Sequence, residues 1–549
     1  MATSHESTTS DSAVPTPKSE VPSIADEKSS NNPQGGGQQN GTDDETPLSL
    51  FLSTFKAART QWVARQVIIM ISLLFRLGVG LGPYSGFSDP PMHGDFEAQR
   101  HWMEITYHLP MKEWYWYDLQ YWGLDYPPLT AYHSWVMGAI GSRIKSSWFA
   151  LDTSRGCEDI NLKSYMRNTV IISELLIYIP AVSMFVRWTI KNQKLSPLYH
   201  SIASAAILLQ PALILIDHGH FQYNAVMLGL SLLAITNILM DKLVVGSVFF
   251  VLSLCFKQMA LYYSIPIFAY LLGICIFPRL NLPRFISLAL SVLVTFALVF
   301  APIILTSAGG PKGPYDQVVQ ILIRIFPFAR GLWEDKVANI WCTLNTFVKL
   351  KVLYSSDTLQ RLSLVTTFVS VLPAFILLFL YPRKKALIWG VSASAWAFFL
   401  FSFQVHEKSV LLPLLPVTLQ LAGDPGVNAQ SYIYWINNVA VFSLWPLLKR
   451  DGLVLQYFVI SFLANWLMAS FKKLPDSLLG KVTIILSYAG IVGLHAMEFL
   501  IEPPSQYPDL WVLGNITLSF GCFAIFLLWN YVQLYRACMQ SPPNDGVRT

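Results

Sequence analysis

Residues 284–306, RFISLALSVLVTFALVFAPIILT, carry no charge after Arg284. The hydrocarbon core of a bilayer is about 30 Å thick and takes roughly 20 apolar residues at 1.5 Å of rise each. This stretch is therefore long enough to cross a membrane. Comparable apolar runs occur near 66–84, 167–190, 197–216, 222–240, 243–257, 260–277, 360–381, 385–403, 409–422, 431–447, 453–470, 480–499 and 509–535, so about fourteen spans are expected. The composition agrees. Of 549 residues 53% are apolar and only 13% charged, about half the charged fraction of a soluble domain. The mean hydropathy is +0.44. An ordinary water-soluble enzyme is excluded, and the class is an all-α polytopic membrane protein whose first partner is the lipid bilayer. The net charge of +5 comes from scattered Lys and Arg, so no nucleic acid is expected as a partner. The six cysteines have no CxxC or Cys/His spacing, so neither a disulfide framework nor a zinc site is indicated.

Residues 1–55 read as a disordered cytosolic tail, rich in Ser, Thr, Pro, Gly, Asn and Gln with GGGQQN at 35–40. The first long apolar stretch follows Lys56, Arg59 and Arg65, so no cleavable signal peptide is expected at Met1. A multi-span membrane domain covers 56–535, with long loops 85–165 and 307–358, and a short cytosolic tail occupies 536–549. The segment 127–143 opens on two prolines and reads as an interfacial helix. With it left outside the membrane, Arg187/Lys191/Lys194, Arg279/Arg284, Arg383/Lys384/Lys385, Lys472/Lys473 and Arg536 share the cytosolic side, as the positive-inside rule requires. Both termini are then cytosolic. Lys449-Arg450 is the exception.

The same parity sends every chemically unusual loop to the opposite, non-cytosolic side: HGDFEAQRHW (93–102), WYWYDLQYWGLDYPP (114–128), DHGHFQYN (217–224), FKQ (256–258), RGLWEDKVANIW (330–341) and FQVHEKS (403–409). Charges at span ends are costly unless paired or facing a wet cavity, so their gathering marks a site. Asp95 precedes a helical pattern and divides evenly between an N-cap and a catalytic carboxylate. Glu97 and Arg100 read as partners within that helix, with Glu97/His101 and Arg100/Glu104 at i,i+4. The aromatic run 114–126 is chiefly an interfacial belt, with a few members available to stack on sugars. His218 and His220, at i,i+2, do not share a helical face and read as hydrogen-bonded loop residues. Lys257, Arg330, Lys336 and Lys408 together form a cationic rim able to hold a phosphate.

GDFEAQRHWMEIT (94–106), WYWYDLQYWGLDYPPLTAYHS (114–134), HGHFQYN (218–224), FKQM (256–259) and VHEKS (405–409) resemble the endoplasmic-reticulum glucosyltransferases that use dolichyl phosphate glucose. The likeness spans about residues 60–500. It implies the GT-C glycosyltransferase fold and an endoplasmic-reticulum location. The implied activity is transfer of the first glucose to the nine-mannose oligosaccharide on dolichyl pyrophosphate, with dolichyl phosphate glucose as donor and an alpha-1,3 linkage as product. By that match Asp95 becomes the catalytic base, with no metal and no cofactor. His406, Lys408, Arg330 and Lys257 are given to the donor phosphate, and His220, Gln222 and Tyr126 to substrate binding. A beta-linked donor and an alpha-linked product imply a single inverting displacement. A related transferase adding the second glucose or a mannose is the alternative, and a lipid-linked sugar transporter the more distant one.

Overall fold

The computed structural model describes residues 46–55, 60–307, 313–326, 336–423 and 425–539. The tail before Thr46, residues 540–549 and Arg330 lie outside these. The described residues form helices and turns without a strand. Seven helical stretches are long and apolar enough to cross a membrane: Trp62–Gly80, Ile160–Gln193, Gln258–Ile276, Leu282–Leu305, Ser356–Leu380, Leu478–Leu500 and Leu510–Met539; a bent pair makes up to eight. Fourteen spans are thus not reproduced by length and apolarity. The reason is enclosure. Asn224–Leu239 and Leu411–Leu419 are almost wholly buried among other helices, and a helix that meets protein rather than lipid can be short or interrupted by Pro413 and Pro416. The outer helices instead expose Leu290, Leu293, Leu298, Leu364, Phe368 and Leu486, as lipid contact allows. Their starts are set by Asn281, Ser355 and Ser477, whose side chains accept from backbone N–H groups of the first turn.

At its N-terminal edge the folded part begins earlier than the composition suggests. Pro47–Ser53 is a helix with a Thr46 capping box and buried Leu48 and Leu52, two apolar anchors within a segment otherwise read as tail.

The loop 85–165 is a packed module. Helices Asp95–His108 and Pro128–Ile144 lie against each other, closest at Gly138, where a Cβ would stand 2.5 Å from the Met103 carbonyl oxygen. Arg100, fully buried, donates to both Glu97 oxygens at 2.7 Å, to Glu104 at 2.7 Å and to Ser154 Oγ at 2.6 Å. The pairing Arg100/Glu104 holds as the spacing implies, while Glu97 turns to Arg100 and Tyr121 instead of His101. Burial pushes the Glu104 carboxyl up, but His101 and Arg100 bring it down to about 2. Two members of the aromatic run belong to the packed interior. Trp114 and Tyr115 are buried, and the Tyr115 hydroxyl donates to the Tyr126 carbonyl at 2.7 Å. Helix Pro314–Ile325 closes over the run, with Gln317 accepting from Trp116 at 2.8 Å and Gln320 donating to the Tyr115 carbonyl at 2.8 Å.

The run 197–216 is not one straight helix. Leu198–Leu208 and Pro211–Phe221 meet at 44°, and the second piece ends in a wide π-helical turn, Leu215–Phe221. Such turns are uncommon and concentrate at functional sites. A buried Arg76–Glu174 ion pair with His218 secures it. Arg76 donates to both oxygens of Glu174 at 2.6 Å and to the Leu208 carbonyl at 3.0 Å, while His218 Nε2 lies 2.7 Å from the same carboxylate.

Candidate active site

Asp95 is the first residue of its helix, and the capping position belongs to Gly94, which makes no side-chain cap bond. The cap reading of the carboxylate therefore falls. A Cβ at Gly94 would stand 2.3 Å from Ser85 Oγ, so only glycine lets the chain pass there, and Ser85 Oγ accepts from the Asp95 N–H at 3.2 Å. The carboxylate points away from its own helix. Asp95 Oδ2 lies 2.7 Å from His220 Nε2, accepts from Gln222 Nε2 at 2.6 Å, and pairs with the Lys408 ammonium. Residues far apart in sequence thus converge on one oxygen.

The π turn makes the convergence possible. His218 and His220 part company, the first to Glu174 and the second to Asp95. Phe221 takes φ +91°, a strained setting for an aromatic residue, and the chain then extends so that Gln222 also reaches Asp95. Packing offsets the strain: the Phe221 ring lies 4.8 Å from Phe96 and 5.6 Å from the Arg167 guanidinium, which donates to the Gly219 carbonyl at 2.7 Å.

A cavity of about 1040 Å³ opens beside Asp95. Gln222, Tyr126, His406 and Lys408 line it with Asp95 and His220, so six of the eight residues assigned from sequence come together there. Their roles shift in four places. His220 has both ring nitrogens engaged, and Gln222 spans Asp95 and Lys257, so both serve the carboxylate before any sugar. Lys257 is buried behind the wall, donating to Gln222 and Asn224 at 3.2 and 2.7 Å and lying 4.8 Å from the Tyr126 ring; it supports Gln222 and does not reach the cavity. Lys336 pairs with Asp509 and leaves the cationic rim. The loop 307–358 borders the cavity through Arg324, Ile325 and Phe326, with Arg324 donating to the Gly123 and Leu124 carbonyls at 2.7 and 3.1 Å.

Sequence reasoning misses Arg361, Arg450 and Asp451. The two arginines are exposed and line the cavity, and Asp451 Oδ2 stands 2.6 Å from His220 Nδ1. A signal did exist: Lys449-Arg450 breaks the positive-inside pattern, which a cation kept at a site explains.

Burial works against charge on Asp95, yet Lys408 and His220 hold its carboxyl well below the usual carboxylate range. The site thus presents a carboxylate with the Lys408 ammonium and the His220 ring beside it at the wall of a cavity. Among the described residues no group of three or more His, Cys, Asp or Glu could hold a metal ion.

The profile of the ALG6, ALG8 glycosyltransferase family matches residues 67–529. The dolichyl pyrophosphate Man9GlcNAc2 alpha-1,3-glucosyltransferase of Saccharomyces cerevisiae is 48% identical over 527 residues, covering 90% of this chain and 96% of its own. A probable enzyme of the same name from Schizosaccharomyces pombe is 48% identical over 493 residues, covering 89% and 95%. The Gallus gallus enzyme is 40% identical over 506 residues, covering 85% and 96%. Among solved structures, ArnT from Cupriavidus metallidurans bound to undecaprenyl phosphate aligns over 88% of this chain and 78% of that one, at 13% identity and a TM-score of 0.39, too distant to bear on the site.

Proposed function

The chain belongs to the ALG6, ALG8 glycosyltransferase family, and from that premise we propose that it transfers the first glucose from dolichyl phosphate glucose to the terminal mannose of the nine-mannose oligosaccharide on dolichyl pyrophosphate, with Asp95 as general base. The observation that carries the residue assignment is the Asp95 carboxylate at the cavity wall, with His220 Nε2 and Gln222 Nε2 at 2.7 and 2.6 Å from its Oδ2. Asp95 takes the proton of the acceptor hydroxyl as that oxygen attacks the anomeric carbon, and the bond to the donor phosphate breaks on the opposite face. The departing dolichyl phosphate gains charge, which His406 and Lys408 are placed to meet. Lys408 has three N–H donors and can hold Asp95 with one and a phosphoryl oxygen with another. As its charge is shared with the phosphate, the carboxylate becomes more basic.

A lipid donor also needs an apolar bed. A groove of about 560 Å³ lined by Phe250, Leu254, Phe268 and Phe296 adjoins the cavity along helix Ser356–Leu380: Gln360, Leu364 and Thr367 face the cavity, while Phe368, Val371 and Phe375 line the groove. That one helix lines both supports a dolichyl chain lying there. Purified protein given the nine-mannose lipid acceptor is expected to transfer from dolichyl phosphate glucose and not from dolichyl phosphate mannose. Preference for the mannose donor would sink the reading.

The charge pattern supports a luminal cavity with both termini cytosolic. A cysteine introduced at Ser402, on the cavity wall, is expected to react with a membrane-impermeant thiol reagent only after sealed microsomes are opened. Labelling in sealed vesicles would reverse the topology.

A further inference from the structure

Asp95 has a second carboxylate behind it. His220 is 2% exposed, with Nε2 2.7 Å from Asp95 Oδ2 and Nδ1 2.6 Å from Asp451 Oδ2. Asp451 is itself buried and does not border the cavity. It ends the short helix Trp445–Arg450, its N–H bonded to the Leu447 carbonyl at 3.1 Å, and the chain turns away at Gly452 with φ +74°. An imidazole donates through both nitrogens only as the imidazolium; the neutral ring donates through one and accepts through the other. A carboxylate on each side therefore selects the doubly donating ring.

We propose that Asp451 is a positioning residue for the base: it holds His220 as a fixed donor that keeps Asp95 Oδ2 occupied, so that Asp95 Oδ1 is presented to the acceptor hydroxyl. The proposal rests on Asp95 being the base. Gln222 and Lys408 complete the set of donors on Oδ2, and neither approaches His220 Nδ1. Among the described residues only Asp451 bonds that nitrogen. Asp451 touches no reacting atom, so its effect belongs in the rate of the bound complex and not in substrate affinity.

Asp451→Asn keeps the size but removes the charge that favours the imidazolium. In the purified enzyme kcat is expected to fall about 10- to 100-fold, by analogy with losing the carboxylate that orients a metal-ligating histidine. KM for dolichyl phosphate glucose and for the acceptor should stay within about twofold. Asp451→Glu is expected to restore part of kcat. His220→Gln should lose a similar amount, and adding Asp451→Asn to it should cost little more, because the second residue acts through the first. A stable Asp451→Asn enzyme with wild-type kcat, or losses that multiply in the double variant, would overturn the proposal. Should Asp451→Asn fail to fold, Asp451→Glu and His220→Gln carry the comparison. Asp95→Asn in the same preparation separates the two ideas: if it is inactive while Asp451→Asn is normal, only the positioning role fails, and if it is active the base assignment fails with it.

Discussion

Asp95→Asn is expected to lower kcat by roughly 10²–10⁴-fold, the contribution of a well-placed general base, while the protein still folds. Asparagine matches aspartate in shape, and its Oδ1 can accept the donors from His220, Gln222 and Lys408 that now meet at Asp95 Oδ2. What it cannot do is accept the acceptor's proton. The helix should survive as well, because Gly94 and not Asp95 holds the capping position. Transfer rate and thermal midpoint of the purified variant check both halves, and near wild-type turnover would remove Asp95 from the chemistry. The pH dependence carries a further sign. With Asp95 held well below the usual carboxylate range by Lys408 and His220 against the pull of burial, the base stays ionised and the rate should hold as pH falls toward about 4. Lys408→Met removes the cation, so the pKa of Asp95 rises and the acid limb of kcat should move to higher pH.

Much of the fold is legible because lipid imposes a length. The runs at 284–306, 480–499 and 509–535 correspond to helices Leu282–Leu305, Leu478–Leu500 and Leu510–Met539, each with an exposed apolar face. Where protein replaces lipid as the surroundings, that constraint goes. Leu411–Leu419 is short and wholly buried, and hydropathy cannot tell such a helix from a poor span. Trp114 and Tyr115 depart from the belt reading for a related reason: tryptophan and tyrosine suit both a membrane interface and a packed core. Trp114 and Tyr115 are buried in a cluster that includes Ile321 and Ile325, about 200 residues away.

For the site, motif wording finds Asp95, Gln222, His406 and Lys408, but their partnerships come from geometry that no local spacing encodes. His220 looks like one of two loop histidines until the π turn separates it from His218. Lys257 looks like a phosphate ligand until burial places it behind Gln222. Asp451 lies 231 positions from His220 in a stretch with no motif, and the only hint of it is the charge exception beside it.

The same geometry makes Arg76 the residue whose loss should damage the fold most. Its guanidinium binds both Glu174 oxygens at 2.6 Å, the Ser72 carbonyl at 2.9 Å and the Leu208 carbonyl at 3.0 Å, with neither side chain more than 1% exposed. Leu208 ends the first half of the broken helix, and His218, held by the same Glu174, belongs to the second. One cation therefore ties together the two pieces that aim His220 and Gln222 at Asp95. Arg76→Met leaves the Glu174 charge buried with a histidine as its chief partner, and removing one member of a buried pair costs about 3–5 kcal/mol. The variant should lose thermal stability in detergent by that order, and the protein that remains folded should transfer glucose poorly because its π turn is loosened. Replacing both charges, as Arg76→Met with Glu174→Met, should recover most of the stability, since no unpaired charge is left in the interior. Recovery of activity should lag behind, because an apolar pair no longer holds His218 and the Leu208 carbonyl in register. A single Arg76→Met protein as stable as wild type would mean that the trio does not secure the broken helix.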